Sequence, residues 1–514
     1  MPLVVPHFLK LNQVSGEFMI RWQEISAHVA EGDLFHLLAA LSRGEVESFP
    51  ALRPHQRQAW HSFLVQCAAM ALIRAGQRTL PTDPALWRAL LIGLTPEWPK
   101  GEAWELVGGD WLEPALLQPP LETAGECKDF KTTLETADEL DMLVTSRNHD
   151  VKAARIGAGR DDDWLFALVT LQTMQGVYGA SNYGISRMNK GYGNRMALGI
   201  QPTGNLSAAF ARDVRRLVDT ASNDASSGKG IAALWAVPWE GTRQLSFAQL
   251  DPLYVDICRR VRLERRADGT LCAMTAGSKV ARVAAAGLNG NTGDPWAPIR
   301  LSDNASVSAS PATFGYRKFT ELLDRTKTGR PLLSLPAETD DAEGLALVAT
   351  ALVRGQGKTE GLHRRAIPVS RRRKSGRLGD VYLDRMGQVA QVRAVEAGEV
   401  RKRLRMATMS LMQGGPASLR LDDDSSARKC EPWLQSFELG VDRAFFDPAF
   451  WDEFDEAEGN HRLVWRKTLT DLANDVFEQA AEAAPRTDVR RIRAHAVARN
   501  MLDATLAAYL REVR

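Results

Sequence analysis

The stretch HRLVWRKTLTDLANDVFEQAAEAAPRTDVRRIRAHAVARNMLDATLAAYL, residues 461–510, carries two helical patterns joined by the short segment APRTDV. Apolar residues of the first pattern recur every three or four positions; they are Trp465, Leu469, Leu472, Val476 and Ala480, widened by Ala473 and Phe477. The corresponding residues of the second pattern are Val497, Met501, Ala504 and Ala508, widened by Leu502, Tyr509 and Leu510. This spacing predicts two amphipathic helices, and the short connection makes them antiparallel neighbours.

Helical composition continues upstream of this pair. A long helical segment is predicted from about 379 to 412, a shorter one near 430–440 and another over 444–458. Antiparallel helices with short connections pack as bundles. The sequence therefore predicts a C-terminal four-helix bundle over residues 376–514.

Residues 1–375 mix helical and strand-like patterns. Two early helices are predicted from apolar residues at three- and four-residue steps, namely Leu34, Leu37, Leu38 and Leu41, then Trp60, Phe63, Leu64, Cys67 and Met70. Farther along, LWAVPW (234–239) is a strand candidate, and DDAEGLALVATALVRG (340–355) is predicted to be a helix. The expected fold class is α+β, with a mixed N-terminal globular domain followed by the four-helix bundle.

The composition of the 514 residues is that of a globular protein, with 44% hydrophobic and 25% charged residues, which excludes a disordered chain. Lys and Arg total 65 against 63 Asp and Glu, and the net charge of +2 excludes a wholly basic nucleic-acid wrapper. No apolar run approaches the roughly 18 residues of a membrane span, and the start lacks a signal-peptide pattern, so a cytoplasmic location is expected. Five cysteines without a CxxC pair disfavour a disulfide scaffold and a zinc ribbon.

The segment TMQGVYGASNYGISRMNKGYGNR, Thr173–Arg195, combines glycine, tyrosine and basic residues. Its glycines are Gly176, Gly179, Gly184, Gly191 and Gly193, and its tyrosines are Tyr178, Tyr183 and Tyr192. This combination suits a loop that meets a nucleic-acid backbone or groove. It does not have the GxGxxG spacing of a dinucleotide site. From composition alone, ligand contact and a purely structural loop remain equal alternatives.

RGQGKTEG, Arg354–Gly361, resembles the end of a phosphate-binding loop. The full pattern needs a glycine five residues before Gly357, where Leu352 stands, and a buried strand where a helix-like run is predicted. A nucleotide-using enzyme built on GQGKT stays as the alternative function. The other interpretations are a glycine-flanked loop whose Gln356 and Lys358 reach nucleic acid, and a solvated surface turn.

Three further segments contain polar or basic residues. Ser146, His149 and Asp150 stand together in LDMLVTSRNHDVKAARIG (140–157), but neighbours in sequence rarely converge as a triad and no GxSxG elbow is present. Lys279 and Arg282 precede the turn-rich AGLNGNTGDPWAPI (286–299). Residues 362–377 hold seven basic residues and no acid, which predicts an exposed connector. Its Arg371, Arg372, Arg373 and Lys374 either contact phosphates or are merely solvated.

Six segments, in this order, resemble the CasA family, the large subunit of the type I-E CRISPR surveillance complex Cascade. They are SFPALRPHQRQAWHSFLVQ (48–66), LVTSRNHDVK (143–152), LVTLQTMQGVYGASNYGISRMN (168–189), GNTGDPWAPI (290–299), RGQGKTEGLHRRAIP (354–368) and the C-terminal helical region. The resemblance runs from about residue 45 to the C-terminus. The Trp-Ile-Pro opening common in the family is absent here.

The resemblance implies a non-catalytic subunit that recognises the protospacer-adjacent motif on duplex DNA, starts strand separation for R-loop formation and helps recruit the helicase-nuclease. The implied partners are the backbone, small and handle-binding subunits of Cascade, the guide RNA, double-stranded target DNA and the helicase-nuclease. No cofactor is expected. No metal is expected either, because the clustered cysteines of some relatives and the histidine cluster of an HNH nuclease are missing from the sequence.

The resemblance also implies site residues. The motif-reading loop corresponds to Gly176, Gly179, Ala180, Ser181 and Asn182, and the basic residue near the motif to Lys279 or Arg282. The wedge that enters between base pairs corresponds to Gln356, Gly357 and Lys358. The loop that contacts the guide RNA and neighbouring subunits supplies Ser146, Arg147, Asn148, His149 and Lys152. The basic run 371–374 completes the expected DNA contacts.

Overall fold

The fold is seen in a computed structural model that describes residues 18–141, 159–221, 228–309, 315–337, 340, 344–355, 358–369, 380–451, 458–483 and 488–511. The chain divides into two compact units. The N-terminal unit comprises Met1–Pro311, Gly329–Asp340 and Val348–Arg364. The C-terminal unit comprises Ala312–Thr328, Asp341–Leu347 and Arg365–Arg514. In the described part of the chain, no helix combines the length and the apolar character that crossing a membrane requires.

Helices form the centre of the N-terminal unit. They are α1 (Leu34–Arg43), α2 (Arg57–Ala75), α3 (Pro84–Ile92), α4 (Ala137–Leu140), α5 (Asp161–Met174) and α6 (Leu206–Ala221). α2 packs against α5 and α6, and Trp60 of α2 stacks on Phe63 and meets Phe166 of α5 edge to face. The two early helices predicted from leucine and aromatic spacing are confirmed as α1 and α2.

The described residues also form short strands in small sheets. The strands are β1 (Ile20–Glu24), β2 (Val29–Gly32), β3 (Val46–Ser48), β4 (Thr132–Leu134), β5 (Ala197–Pro202), β6 (Ile231–Ala233), β7 (Leu245–Ser246), β8 (Leu250–Val255), β9 (Arg260–Arg265), β10 (Leu271–Ala276), β11 (Val283–Ala284), β12 (Ile299–Arg300), β13 (Ala305–Ser306), β14 (Thr328–Gly329), β15 (Leu345–Gly355) and β16 (Lys358–Val369). The sheet orders are β2-β1-β3, β4-β10-β9, β11-β7, β13-β12-β14, β16-β15-β5 and β6-β8. A mixed α/β N-terminal region with small sheets is thus confirmed.

The run predicted to be a helix over 340–355 forms β15 instead, so that prediction was wrong. Apolar residues from Leu345 to Val353 are buried almost without interruption, and β15 is the middle strand of its sheet, between β16 and β5. A strand covered on both faces has a continuous apolar pattern, which periodicity cannot distinguish from a buried helix. Leu362–Val369, predicted to be part of an exposed connector, also belongs to a strand, β16.

The strand candidate LWAVPW was placed too late in the sequence. β6 ends at Ala233, and Leu234–Ala236 forms a 3₁₀ turn. The indole nitrogen of Trp235 donates to the carbonyl oxygen of Ala103 at 2.7 Å, and the ring is fully buried. A distant backbone acceptor therefore decides the local conformation, which no short-range pattern encodes.

The C-terminal unit is a helical bundle, as predicted. Its helices are α7 (Tyr316–Leu323), α8 (Asp380–Gln413), α9 (Asp424–Phe445), α10 (Glu458–Glu482) and α11 (Asp488–Arg511). α8 contacts each of α7, α9, α10 and α11, and α10 contacts both α9 and α11. The helix expected over 444–458 is wrong in its described part, where Asp447 caps a 3₁₀ turn at Pro448–Phe450.

Of the two apolar stripes predicted within residues 461–510, only the first coincides with the buried face of its helix. Trp465, Leu469 and Val476 of α10 are buried as predicted. In α11 the buried residues are Ala494, Ala498, Leu502, Leu506 and Tyr509, whereas Val497 is 40% exposed. The predicted face of α11 was therefore wrong by about one residue of rotation, because alanines on both sides make the stripe ambiguous.

Candidate nucleic-acid interface

The glycine-rich loop, defined here as residues 176–184, leaves the C-terminal end of α5. Its base is paired with the returning chain, since the amide of Gly176 donates to Gly193 O at 3.0 Å and that of Val177 to Gly191 O at 2.8 Å. A Cβ atom on Gly176 would lie 2.2 Å from Gly191 O. Glycine is therefore required at this crossing because the two backbones are too close for any side chain.

The tip of the loop, Gly179–Asn182, is a tight turn. The Asn182 amide donates to Gly179 O at 3.3 Å, and the Tyr178 amide donates to Asn182 O at 2.9 Å. Gly179 has a φ of +94°, and Ser181 also lies in the left-handed region at +66°. Gly179, Ala180 and Ser181 are exposed, so the tip presents backbone groups and short side chains to a partner.

A buried arginine holds the two sides of the loop together. Arg259 is 7% exposed; its guanidinium donates to Gly176 O at 3.0 Å and also to Tyr183 O. Gly176 is itself buried. Of the five loop residues expected to contact DNA, Gly176 is therefore at the structural base, and the other four form the tip.

Lys279 lies beside this tip although it is far away in sequence. The hydroxyl of Tyr183 donates to Lys279 O at 2.7 Å, and the Ser278 amide donates to Ser181 O at 3.0 Å. The Lys279 amide donates in turn to Gly241 O at 2.7 Å. The side chain of Lys279 is exposed, so the structure brings two separately predicted segments to one surface.

Arg282 is placed differently from the sequence expectation. It is 4% exposed, and its guanidinium donates to the carbonyl oxygens of Leu234 at 3.0 Å, Val237 at 2.7 Å and Pro238 at 3.1 Å. Burial lowers the pKa of Arg282 to about 10. As a DNA contact, Arg282 is corrected to an interior arginine whose donors serve backbone carbonyls, and Lys279 is the exposed member of the pair.

The GQGK sequence lies at the turn of a hairpin. β15 ends at Gly355 and its sheet neighbour β16 begins at Lys358; so short a connection makes the two strands antiparallel. Gln356 and Gly357 lie outside the described residues, and of Lys358 only the backbone is described. The expectation that no strand precedes the loop was wrong. A phosphate-binding loop, however, must lead into a helix N-terminus, and here a strand follows.

A buried node of hydrogen bonds joins the hairpin to the glycine-rich loop. Arg354, which is 8% exposed, donates to Gln175 Oε1 at 2.7 Å and to Asp141 O at 2.9 Å. Gln175 Nε2 lies 3.3 Å from the same Asp141 oxygen. Gln175 directly precedes the loop, and Arg354 is the second-last residue of β15, just before the hairpin turn.

The same node includes Asp141, a few residues before the segment expected to contact guide RNA. Asp141 is the last described residue before that segment, and its carboxylate accepts hydrogen bonds from Gln56 at 2.9 Å and lies 2.7 Å from His55 Nε2. The residues of the segment itself, Ser146, Arg147, Asn148, His149 and Lys152, lie outside the described residues. The described cluster therefore connects the glycine-rich loop with the hairpin and includes Asp141, which precedes the third predicted loop in the sequence.

Two sequence predictions remain, namely the basic run 371–374 and the expected absence of a metal site. Arg371, Arg372, Arg373 and Lys374 lie outside the described residues. In the described ranges, no group of three or more His, Cys, Asp or Glu residues is arranged to hold a metal ion.

Sequence reasoning missed the residues that organise the site from inside. Gln175, Arg259 and Arg354 do not contact solvent appreciably, with exposures of 1%, 7% and 8%. The available signal was positional, since Gln175 and Arg354 each stand immediately before a glycine of a predicted loop. Their partners could not be found without the tertiary structure.

Solved structures with the same architecture cover almost the whole chain. CasA (Cse1) of Thermus thermophilus aligns with a TM-score of 0.64 and 16% sequence identity, covering 97% of this chain and 99% of that chain. Cse1 of Acidimicrobium ferrooxidans and Cse1 of Thermobifida fusca each align with a TM-score of 0.60 and 14% identity, covering 97% of this chain and 98% of theirs. No protein-family model and no curated protein sequence matches the chain.

These structural matches have one consequence. The chain has the CasA fold, so the resemblance carried by the six sequence segments is confirmed at the level of the fold.

Proposed function

We propose that this chain, which has the fold of CasA proteins, is the non-catalytic large subunit of a type I-E CRISPR Cascade complex. In this role it recognises the protospacer-adjacent motif on duplex DNA, starts strand separation and helps recruit the helicase-nuclease. The observation that carries the proposal is the junction of the loop tip Gly179–Asn182 with Lys279, connected by the 2.7 Å hydrogen bond from Tyr183.

The geometry of this junction suits a motif of a few base pairs. The minor groove is about 6 Å wide and distinguishes mainly A·T from G·C pairs. A tip of Gly179, Ala180, Ser181 and Asn182 has little bulk, so its backbone groups can approach base edges in so narrow a groove. Lys279 beside the tip supplies a positive charge for a phosphate, which fixes register without reading sequence.

Strand separation is assigned to the hairpin turn. Gln356, Gly357 and Lys358 form the wedge, and unstacking a base step costs a few kcal/mol that inserted groups and phosphate contacts offset. Because Arg354 joins the hairpin to Gln175 at 2.7 Å, motif recognition and wedge insertion are mechanically connected. Separation therefore begins next to the recognised motif.

The basic run 371–374 and the segment expected to contact guide RNA supply the remaining proposed contacts. Arg371, Arg372, Arg373 and Lys374 supply sequence-independent charge for phosphates, so neutralising all four weakens binding to every DNA sequence and flattens its salt dependence. Ser146, Arg147, Asn148, His149 and Lys152 face the guide RNA and the neighbouring Cascade subunits. The protein works in the cytoplasm with those partners and needs no cofactor.

The loop tip provides the decisive experiment. Gly179→Val combined with Ala180→Leu adds bulk where the groove would be entered, and a Cβ at Gly179 meets no atom within 4 Å inside the protein. In the assembled complex, motif-dependent binding in a gel-shift assay should be lost while assembly is kept. The control is Gly269→Val, an exposed glycine with a φ of +86° whose Cβ also has open space, so it carries the same backbone strain as the change at Gly179. Unchanged target binding by the loop variant refutes the assignment.

A further inference from the structure

A cleft of about 160 Å³ lies next to the glycine-rich loop. Its wall includes the returning segment Arg187–Met196, Ser306 and Arg354. The same returning segment is hydrogen-bonded to the base of the loop through Gly191 O and Gly193 O. The cleft and the loop therefore share one piece of backbone.

The wall of the cleft is positively charged. Its basic residues are Arg187, Lys190, Arg195 and Arg354, and no Asp or Glu is found among the lining residues that the structure describes. Lys190 and Tyr192 are exposed at the mouth, whereas Arg187 is 1% exposed and Arg195 is 4% exposed. Positive charge thus extends from the entrance to the interior.

The two buried arginines have donors in excess of their acceptors. Arg187 donates from Nη2 to Tyr254 O at 2.8 Å and lies 4.0 Å from the Tyr254 ring centroid. Its Nε and Nη1 atoms are buried without a hydrogen-bond partner among the described residues. Arg195 pairs with Asp294 through Nη1, but its buried Nη2 has no partner in the same described set.

Three carboxylates face the two buried arginines: Asp294 and Asp256 act on Arg195, and Asp256 and Asp251 act on Arg187. Asp294 is paired with Arg195, and Asp256 accepts hydrogen bonds from Ser186. Burial lowers the pKa of Arg195 and the neighbouring Arg187 lowers it further, against the attraction of Asp294. Burial also raises the pKa of Asp256. The guanidinium donors that flank the cleft and lack a partner among the described residues, rather than uncompensated charge, therefore favour an added oxygen acceptor.

The size of the cleft restricts the anion. A volume of 160 Å³ equals about five water molecules of roughly 30 Å³ each. It is well below the roughly 300–1,000 Å³ of pockets that enclose a drug-sized ligand. A single phosphate group fits, and guanidinium donors match its oxygens in charge and geometry.

We propose that this cleft is a phosphate-binding site, with Arg187 and Arg195 as the buried donors and Lys190 at the entrance. In the assembled complex the phosphate belongs to the nucleic-acid backbone that passes the glycine-rich loop. That second statement rests on the proposed function, whereas the phosphate chemistry stands on the cleft alone.

Binding is tested on the purified full chain without DNA. Inorganic phosphate and dimethyl phosphate, a diester, are titrated by calorimetry at constant ionic strength against chloride. Saturable binding of dimethyl phosphate is expected, and Arg187→Gln should raise its Kd at least tenfold, since hydrogen bonds to charged groups contribute about 1.5–3 kcal/mol each. The matched control is Arg262→Gln, which removes an arginine that is 2% exposed and lies outside the cleft, and it should leave the Kd unchanged.

A second variant covers the case in which Arg187→Gln does not fold. Lys190→Gln is exposed at the mouth and should weaken binding several-fold, whereas the exposed Lys100→Gln should not. Binding of inorganic phosphate alone overturns the backbone assignment and retains the phosphate site. No binding of either anion, or equal binding by all variants, overturns the site itself. Neither result touches the proposed function, which the loop-tip variants test separately.

Discussion

The hydroxyl of Tyr183 donates a hydrogen bond of 2.7 Å to the backbone carbonyl oxygen of Lys279, a residue 96 positions away. This bond attaches the segment between β10 and β11, which carries Lys279, to the glycine-rich loop. Ser278 and Ser181 add a second, backbone connection of 3.0 Å. The lysine therefore keeps a defined position relative to the loop tip.

Removing the Tyr183 hydroxyl should weaken DNA recognition and leave assembly of the complex intact. Tyr183→Phe loses one hydrogen bond, a change of about 1 kcal/mol, and should weaken motif-dependent DNA binding several-fold because Lys279 is no longer held beside the tip. Gel-shift titration of the assembled complex measures the effect. Tyr316→Phe, which loses a comparable 2.9 Å bond to Glu438 in the C-terminal unit, serves as control. Equal losses in both variants would contradict the positioning role.

Gly176 should be intolerant of any side chain. Its Cβ would lie 2.2 Å from Gly191 O and 2.9 Å from Gly193 O, so Gly176→Ala forces the loop base apart at a cost of about 1–3 kcal/mol. Thermal unfolding should show a midpoint several degrees lower. Gly204→Ala, with no atom within 4 Å of the added carbon, should change stability by less than about 0.5 kcal/mol. A Gly176 variant as stable as the Gly204 variant would show that the loop base can shift freely.

Arg354 should affect both the loop and the hairpin. Arg354→Lys keeps the charge but cannot reproduce the two diverging hydrogen bonds to Gln175 and Asp141. We expect weaker motif discrimination together with slower strand opening on the same DNA. The measurements are competition binding between motif and non-motif duplexes and strand-opening fluorescence. A defect in only one of the two readouts would mean that the node does not connect the elements.

The wedge assignment predicts a dependence on substrate. Gln356→Ala combined with Lys358→Ala should slow R-loop formation on closed duplex DNA. The defect should be much smaller on a target already mismatched beside the motif, because the unpairing cost is removed in advance. Strand-opening fluorescence compares the two substrates. An equal defect on both would assign the turn to affinity alone.

Glu240 should make the loop region sensitive to acid. Burial would raise the pKa of Glu240, but hydrogen bonds from Thr242, from the backbone and from Arg243 outweigh it and lower the pKa to about 2 from the ordinary 4.5. The folded state therefore binds this proton more weakly than the unfolded chain, so the stabilisation is present above pH 4.5 and lost as the pH falls from 4.5 to 2. Glu240→Gln should reduce the fall in melting temperature between pH 6 and about pH 3.

Glu240 is connected to the loop region through the next residue, Gly241, whose carbonyl oxygen accepts a hydrogen bond from the Lys279 amide at 2.7 Å. The control is Glu97→Gln, an exposed carboxylate outside these contacts. It should leave the pH dependence of the melting temperature unchanged. An acid response of the Glu240 variant identical to that of the unchanged protein would contradict the assignment.

Part of the candidate site could be predicted from the sequence. Glycine and tyrosine content identified the loop, because only a few residue types tolerate positive φ or lie flat against a groove. The sequence could not show which of Lys279 and Arg282 is exposed, since the two residues are three positions apart and chemically alike. The structure exposes Lys279 and buries Arg282 among three carbonyl oxygens. Only the path of the surrounding backbone decides between these environments.

By itself, the sequence determined the elements whose pattern is local: α1, α2, α8 and α10 follow from apolar spacing at 3.6 residues per turn. Tertiary structure decided the rest. The run Leu345–Val353 became a strand because β16 and β5 pair with both of its edges, and alanine-rich α11 chose its buried face by packing. The convergence of Gln175, Arg354 and Asp141 was also invisible in the sequence. Local periodicity records which residues are apolar, whereas long-range pairing determines which backbone groups and charges meet.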